Sequence, residues 1–111
     1  MTEDQIRSIL DVRRRRSEVF GQGLFADPAW DILLELFAAA LGNRRMTLGD
    51  LAPIAPKSTL ARWIAALEER QLVECAVDPL RPDRFWIALS RDCAARMAAF
   101  LSAAPHLAPM Q

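Results

Sequence analysis

Two short runs of alternating residues narrow the possible folds further than any other feature of this 111-residue chain. Residues 73–77 and 85–89 each place an apolar side chain at every second position, which is the period of a β-strand. The segment between them, 78–84, holds two prolines and two aspartates, which favour turns. The runs therefore predict one β-hairpin, and the rest of the core must come from helices.

The segments before the hairpin have the spacing of amphipathic helices. Residues 1–20 show this spacing, and the glycines that follow predict a connector. A second helix is predicted from Pro28, which suits the first helical position, to Gly42, with Asp27 as its N-cap. The start of the chain is therefore predicted as two helices joined by a short connector.

Two more helices are predicted just before the hairpin. Thr47 and Asp50 have the spacing of a capping box, and the prolines that follow confine the short helix they open to about residue 55. Met46 is predicted to lie in a very short strand before it. Residues 57–70 form the next helix, with one apolar face and a polar front.

Ser90 can cap a last helix, so the predicted order is helix, helix, short helix, helix, hairpin and helix. This is the order of a winged helix-turn-helix domain, a mainly α fold with a small β-hairpin (α+β). One domain is predicted over residues 1–104, with the N-terminal helix in 1–20, the helix-turn-helix core and wing in 28–90, and the closing helix in 91–104. Residues 105–111 contain two prolines and are predicted as a flexible tail.

Several short segments between residues 28 and 101 follow the pattern of one known family. They are Leu51-Ala52, Lys57-Ser58-Thr59, Arg62, Leu67-Glu68, Leu72-Val73-Glu74, Asp78-Pro79 and Leu89-Ser90. In their order and spacing they resemble the MarR-like winged-helix family of bacterial repressors. The resemblance implies a transcriptional regulator that dimerises through its terminal helices and, in many relatives, releases DNA when a small effector binds.

The chain departs from this family pattern in the turn and in the wing. The glycine that usually precedes the first wing strand is Gln71, and the one usual after the second strand is Cys93. Relatives carry an Asp-Arg-Arg type run where this chain has Arg81-Pro82-Asp83. The segment before Lys57 is about two residues shorter than usual. These differences concern the parts that would touch DNA.

Six residues are candidates for DNA binding by their position in the family pattern. They are Lys57, Ser58, Thr59 and Arg62 at the front of the predicted recognition helix, and Arg81 and Arg84 in the wing. The lysine and hydroxyls would hold phosphates, Arg62 would reach a phosphate or a guanine edge, and the wing arginines would lie beside the minor groove. The alternative is a solvated helix start that Ser58 or Thr59 caps.

The basic run at 13–16 and the three tryptophans allow more than one interpretation. Four consecutive arginines point to all sides of a helix, so a solvated helix end, a phosphate contact and a dimer contact stay open. Trp30 and Trp63 lie on apolar helical faces and are predicted core residues. Trp86 alternates with the apolar residues of its strand and is predicted to face outward, as a surface for a partner helix or a second copy.

The sequence lacks the residue sets that catalysis or metal binding requires. Cys75 and Cys93 are too few and too far apart for a zinc site or a disulfide framework, and are predicted as buried or half-buried thiols. A redox switch is the alternative, with Arg91 and a helix start lowering the pKa of Cys93. His106 is predicted to be solvated. No catalytic set and no phosphate-binding glycine loop is found, so no enzyme activity, cofactor or metal is expected.

Charge and hydropathy restrict the function further. The formal net charge is zero, which argues against a protein that coats nucleic acid without specificity. No run approaches the ~18 apolar residues of a membrane span, and the N-terminus lacks the pattern of a secretory signal. A cytoplasmic protein with no membrane association is predicted.

The function predicted first is that of a sequence-specific regulator of transcription that binds double-stranded DNA. It would be a homodimeric repressor with the helix at 57–70 in the major groove, and a small-molecule effector is among its expected partners. The alternative is a winged-helix module for protein interaction that has lost DNA binding. Zero net charge and the altered wing favour that alternative, whereas the basic front of the recognition helix opposes it.

Overall fold

A computed structural model of the chain describes residues 2–20 and 28–103. The elements are α1 (Glu3–Phe20), α2 (Pro28–Leu41), a 3-10 helix (Leu48–Leu51), α3 (Lys57–Glu69), β1 (Val73–Asp78), β2 (Arg81–Leu89) and α4 (Arg91–Ala103). This order confirms the predicted winged helix-turn-helix fold. The predicted Asp27 cap, His106 and the tail lie outside the described residues, so the domain limits stay a prediction.

One apolar core joins the helices to the hairpin. The most deeply buried large side chains come from α1, α2, the 3-10 helix, α3 and β1, and they are Ile6, Ile32, Leu34, Leu36, Leu51, Leu60 and Val73. Trp30 and Trp63 pack against this core, as predicted. Burying one such Leu or Ile stabilises the fold by about 1.5–3 kcal/mol, so the apolar faces contribute a large part of the stability that holds these elements together. None of the helices in the described ranges is both long and apolar enough to cross a membrane.

Ion pairs join α1 to α2, and they account for part of the basic run. Arg13 pairs with Asp31, and Arg14 lies 3.6 Å from the carboxylate of Glu35. Arg7, about two turns before Arg14, donates to the same Glu35 at 2.9 Å. Only 11% of the Arg13 side chain is exposed. Arg13 and Arg14 are therefore engaged within the chain, which none of the three interpretations of the basic run foresaw.

The predicted capping residues act as expected. The backbone N–H of Thr47 donates to Asp50 at 2.9 Å, which closes the capping box at the start of the 3-10 helix. At the start of α4, the N–H of Cys93 donates to the Ser90 hydroxyl at 3.1 Å. Met46 forms an isolated bridge to Ile87, which confirms the very short strand predicted there.

The hairpin differs from the prediction in its second strand. The turn was predicted to span residues 78–84, but β2 begins at Arg81, so the tip is only Pro79-Leu80. Val77 pairs with Phe85 and Asp78 pairs with Arg81, which leaves residues 82–84 as a bulge. A bulge suits Pro82, which has no N–H to donate to the neighbouring strand. The wing arginines consequently lie on a strand instead of in a loop.

The junction between α3 and β1 adopts a left-handed backbone. Gln71, at the position where the family pattern has glycine, has a φ of 61°. A side chain with a Cβ is disfavoured in this conformation, whereas glycine adopts it freely. Asn43, at the end of α2, has a φ of 55° and belongs to a residue type that tolerates this region better. Gln71 is therefore a strained position that the fold retains.

Candidate nucleic-acid interface

The front of α3 is exposed because the apolar face of the helix is used by the core. Leu60, Ile64 and Leu67 are buried, while Lys57, Ser58 and Arg62 are exposed. Thr59 is half-buried. Alanines at positions 61, 65 and 66 are also exposed, so the outward side of α3 has little bulk around Arg62. A helix of this shape can approach another surface closely along its exposed side.

The helix begins without help from its hydroxyl residues. Pro56 is the N-cap and no side chain caps the helix, so neither Ser58 nor Thr59 has the capping role that was the alternative for them. The first turn contains no acidic residue. The free N–H groups and the positive end of the helix dipole therefore add to the charge of Lys57, an arrangement that favours anions.

The wing and the start of α3 enclose a groove. Its volume is about 450 Å³, and its lining includes Lys57 of α3 and both wing arginines, Arg81 and Arg84. Gly49 of the 3-10 helix and Ala52, which follows that helix, form another wall. Three of the six predicted DNA-binding residues are thus brought together. Ser58, Thr59 and Arg62 do not line this groove, and they lie on or beside the exposed front of α3.

The basic residues of this interface form no ion pair among the side chains that the structure describes, although Asp83 also lines the groove. In residues 2–20 and 28–103, ion pairs involve Arg7, Arg13, Arg14, Arg44 and Arg96. Lys57, Arg62, Arg81 and Arg84 are not among them. A surface whose cations are unneutralised attracts phosphates more strongly than one whose cations are paired. The zero net charge of the chain therefore hides an uneven distribution.

Trp86 occupies the outer face of the hairpin, as its alternation predicted. It is half-buried, and the guanidinium carbons of Arg45 and Arg84 lie 5.3 and 4.9 Å from its ring centroid. The ring is thus contacted by two cations, which leaves less free apolar surface for a partner helix. Sequence reasoning missed Arg45, because the only signal was an arginine beside the short strand at Met46.

A second concavity, which shares no lining residue with the first, lies between α2 and α4. It has a volume of about 350 Å³ and is lined mostly by apolar side chains. Trp30 and Phe100 meet there edge to face at 6.1 Å, and 52% of Phe100 is exposed. This groove is apolar and open, so it can accept either a small apolar molecule or an apolar surface.

Both cysteines are free thiols and are buried or half-buried, as predicted, whereas the lowered pKa of the redox-switch alternative for Cys93 is wrong. Cys93 is 3% exposed, and burial raises the pKa of its thiol; nearby Arg96 lowers it less. The sequence had suggested a lowered pKa through Arg91 and the helix start. Burial and then Glu68 raise the pKa of Cys75 as well. Raised thiol pKa values are those of inert cysteines.

Comparisons with known proteins are informative at the level of fold. No family model matches the chain, and no curated protein matches its sequence. Among solved structures, S. aureus MepR in its DNA-binding conformation superposes with a TM-score of 0.63 at 19% identity, covering 91% of this chain and 72% of that one. The heme sensor PefR from Streptococcus agalactiae, in complex with heme, gives 0.57 at 16%, covering 85% and 67%.

A third similar structure is Bordetella bronchiseptica BpsR, whose DNA binding is regulated by 6-hydroxynicotinic acid. Its TM-score is 0.56 at 15% identity, and the match covers 93% of this chain and 67% of that one. The fold and the basic front define this chain as a winged helix-turn-helix domain. Its architecture is that of the MarR-family regulators, to which these three neighbours belong.

Proposed function

We propose that the protein is a sequence-specific transcriptional regulator, a homodimeric repressor that places α3 in the major groove of double-stranded DNA. The observation that carries the proposal is the groove where Lys57, Arg81 and Arg84 converge without ion pairs in the described chain. Unpaired cations between a helix front and a wing suit the phosphates that flank a recognition helix. The fold shared with MepR supports the same reading.

Each predicted residue has a role in this proposal. Lys57 and the hydroxyls of Ser58 and Thr59 hold phosphates, and Arg62 contacts a phosphate or the edge of a guanine. Arg81 and Arg84 lie beside the minor groove. The small alanines around Arg62 let α3 enter the groove closely. This division assigns affinity to the lysine and the wing, and sequence preference to Arg62.

Dimerisation through the terminal helices completes the proposal. Two copies related by a twofold axis would present two α3 helices about 34–36 Å apart, one turn of DNA. The exposed Phe100 on α4 and its apolar surroundings favour a contact at this end of the molecule. We therefore expect a pseudo-palindromic site with half-sites about ten base pairs apart.

A small-molecule effector is the least specified part of the proposal. PefR binds heme and BpsR responds to 6-hydroxynicotinic acid. In this chain the apolar groove between α2 and α4 is the surface best suited to a small aromatic molecule, because Trp30 and Phe100 form part of its wall. Such a molecule would compete with or reshape the contact between two copies.

The test is a fluorescence-anisotropy titration of the purified protein against the promoter of its own operon and a scrambled duplex. The titration is run at low and near-physiological salt. We expect tighter binding to the promoter, and binding to both duplexes should weaken as salt rises. Binding to neither duplex by a protein that circular dichroism shows to be folded would contradict the proposal.

A charge reversal links that result to the groove. Lys57→Glu should remove most of the affinity for both duplexes, because it puts a carboxylate among the arginines that would hold phosphates. Arg91→Glu is the matched control, since Arg91 is also exposed and also begins a helix, but lies outside the groove. Equal effects of the two variants would mean that the groove is not the binding surface.

One observation favours the second candidate, a module for protein interaction. The wing tip carries Leu80, which is 90% exposed, next to the exposed Val77. An apolar wing tip can contact another protein as readily as a minor groove. If duplex binding is absent, this function predicts that a partner protein co-purifies with the wild type at fixed stoichiometry. Loss of that partner in Leu80→Ser would support it.

A further inference from the structure

The outer face of the hairpin presents one large ring beside two alanines and the exposed Glu74. Trp86 pairs across the sheet with Ala76, and both Ala76 and Ala88 on the same face are exposed. Trp86 does not belong to the set of residues packed against the core, in contrast to Trp30 and Trp63. Core packing therefore does not account for a tryptophan at this position.

The groups that do contact the ring are both cationic. Arg45 precedes the short strand at Met46, and Arg84 lies in the bulge of β2, so two separate segments bring their guanidinium groups to one ring. A guanidinium that stacks on a ring uses its face and leaves its N–H edge for hydrogen bonds. Neither arginine forms an ion pair in the parts of the chain that the structure describes.

Two guanidinium groups whose carbons lie 5.3 and 4.9 Å from one ring centroid, and which form no ion pair among the described side chains, favour an anion. Coulomb repulsion between the guanidinium groups falls when an oxyanion accepts from both of them. The matching ligand chemistry is a phosphate group, because its oxygens can accept from two arginine edges at once. Tryptophan is the ring that attracts a cation most strongly, so it is suited to hold both groups in place.

The position of this stack indicates which phosphate it meets. Arg84 also lines the groove with Lys57 and Arg81, so the stack continues the basic surface of the groove onto the outer face of the wing. Arg45 also lines a second cleft, together with Arg44 and the acidic residues Glu35 and Asp50. A duplex seated on α3 and the wing would bring its backbone along this path.

We propose that Arg45 and Arg84, positioned by Trp86, form a clamp for one phosphate of the DNA backbone outside the helix-turn-helix groove. The inference rests on the proposed DNA binding and adds a DNA-contacting residue, Arg45, and a positioning residue, Trp86. The contact is to the backbone, so it strengthens binding to every sequence equally and contributes no preference for the promoter.

The first test compares Arg45→Ala with wild type in the same titrations. The affinity should fall about three- to tenfold for the promoter and the scrambled duplex alike. The slope of log affinity against log salt should decrease by about one, as for the loss of one phosphate contact. Arg91→Ala should leave the affinity and the slope unchanged. Wild-type affinity and slope in Arg45→Ala would overturn the inference while leaving the proposed function intact.

The second test concerns the ring. Trp86→Leu should weaken binding at least as much as Arg45→Ala, because it releases both guanidinium groups, whereas Trp86→Phe should restore most of the affinity. Equal affinities of the Leu and Phe variants would show that the ring acts only by filling space, and would overturn the role of Trp86. Circular dichroism of each variant confirms that the fold persists.

A third measurement distinguishes the backbone from a free anion. Inorganic phosphate is titrated against the protein without DNA, and tryptophan fluorescence is followed in wild type and in Arg45→Ala. Binding of free phosphate that depends on Arg45, together with an unchanged duplex affinity in Arg45→Ala, would overturn the DNA assignment. A wild-type protein that binds neither duplex would remove the proposed function and this inference together.

Discussion

Three arginines of the first helix and the basic residues of the recognition helix and wing have different environments. In the α1–α2 half, Arg7, Arg13 and Arg14 all face carboxylates of α2. In the α3–wing half, Lys57, Arg62, Arg81 and Arg84 form no ion pair among the described side chains, although Asp83 lines the same groove. A paired arginine contributes to the packing of two helices, while an unpaired one retains its charge for a ligand. The chain has equal numbers of acidic and basic residues, but its basic residues serve two purposes. Some stabilise the packing of two helices, and others keep their charge for a ligand.

The centre of the paired half is a carboxylate with little access to water. Glu35 is 7% exposed and is shared by two arginines of α1. Hydrogen bonding to this carboxylate raises the pKa of Arg7, although burial acts in the opposite direction. A buried charge is tolerated only where partners satisfy it, so the α1–α2 contact depends on both helices carrying the matching residues.

The largest effect is expected from breaking this pair. Glu35→Ala should lower the free energy of unfolding by about 2 kcal/mol, less than for a fully buried pair because both arginines are partly exposed. Chemical denaturation measures the change. Glu74→Ala removes an exposed carboxylate from β1 and should change stability by less than about 0.5 kcal/mol. Equal changes in the two variants would mean that the ion pairs of Glu35 with Arg7 and Arg14 contribute nothing to stability.

The unpaired half should respond in affinity instead of stability. Arg62→Ala removes an exposed side chain that contacts no carboxylate, so the unfolding free energy should stay within about 0.5 kcal/mol of wild type. Affinity for the promoter should fall about tenfold, and the preference over the scrambled duplex should shrink if Arg62 reads a base.

Anisotropy titrations on both duplexes, with denaturation of the same samples, check this prediction. Arg70→Ala is the control on the same helix, because Arg70 is exposed at the C-terminal end of α3, away from the front. An unchanged promoter affinity would remove Arg62 from the site. A large loss of stability would contradict the contrast between the two halves.

The strained junction between α3 and β1 can be tested at Gln71, where the family pattern has glycine. Gln71→Gly should raise the free energy of unfolding by about 0.5–1 kcal/mol, because relief of the left-handed strain exceeds the entropy that glycine adds to the unfolded chain. Asn43→Gly is the matched control and should change stability less, since asparagine tolerates this conformation. A destabilised Gln71→Gly would mean that the glutamine side chain makes a contact worth more than the strain.

The sequence was sufficient for the order of elements but insufficient for the partners of individual charges. The face of α3 followed from the spacing of Leu60, Ile64 and Leu67, because each of these residues needs burial and the helical period brings them together. The start of β2 was missed because Pro82 signals a turn locally, whereas in the fold it occupies a bulge that tolerates a missing N–H.

Long-range pairs show the same limit. The basic run of α1 and the acidic residues of α2 are both visible in the sequence, and only the way the helices pack determines which arginine meets Asp31 and which meets Glu35. The contact between Arg45 and Trp86 could not be predicted for the same reason, because 41 positions separate the two residues in the sequence. They meet because the bridge between Met46 and Ile87 brings their neighbours together. Local patterns specify elements, and packing specifies contacts.

The two cysteines give the mildest test of the contrast between the regions. Cys75 is half-buried on the wing, and Cys93 is buried between α4 and the core, and burial raises the pKa of both thiols. Iodoacetamide should therefore label Cys75 faster than Cys93 at pH 8, and both rates should increase with pH because the thiolate is the nucleophile. Mass spectrometry of the native protein measures the two rates, and Cys75→Ser isolates that of Cys93.

The same shifts predict a pH dependence of stability. A folded-state thiol pKa above the ordinary value of 9.0 favours the neutral form, so the unfolded chain ionises first as pH rises. The unfolding free energy should be independent of these thiols below that value and should decrease as pH rises through the raised pKa. Cys93→Ala should show a smaller decrease. In the labelling experiment, equal rates for Cys93 and Cys75 would mean that α4 separates from the core often enough to expose Cys93 as much as Cys75.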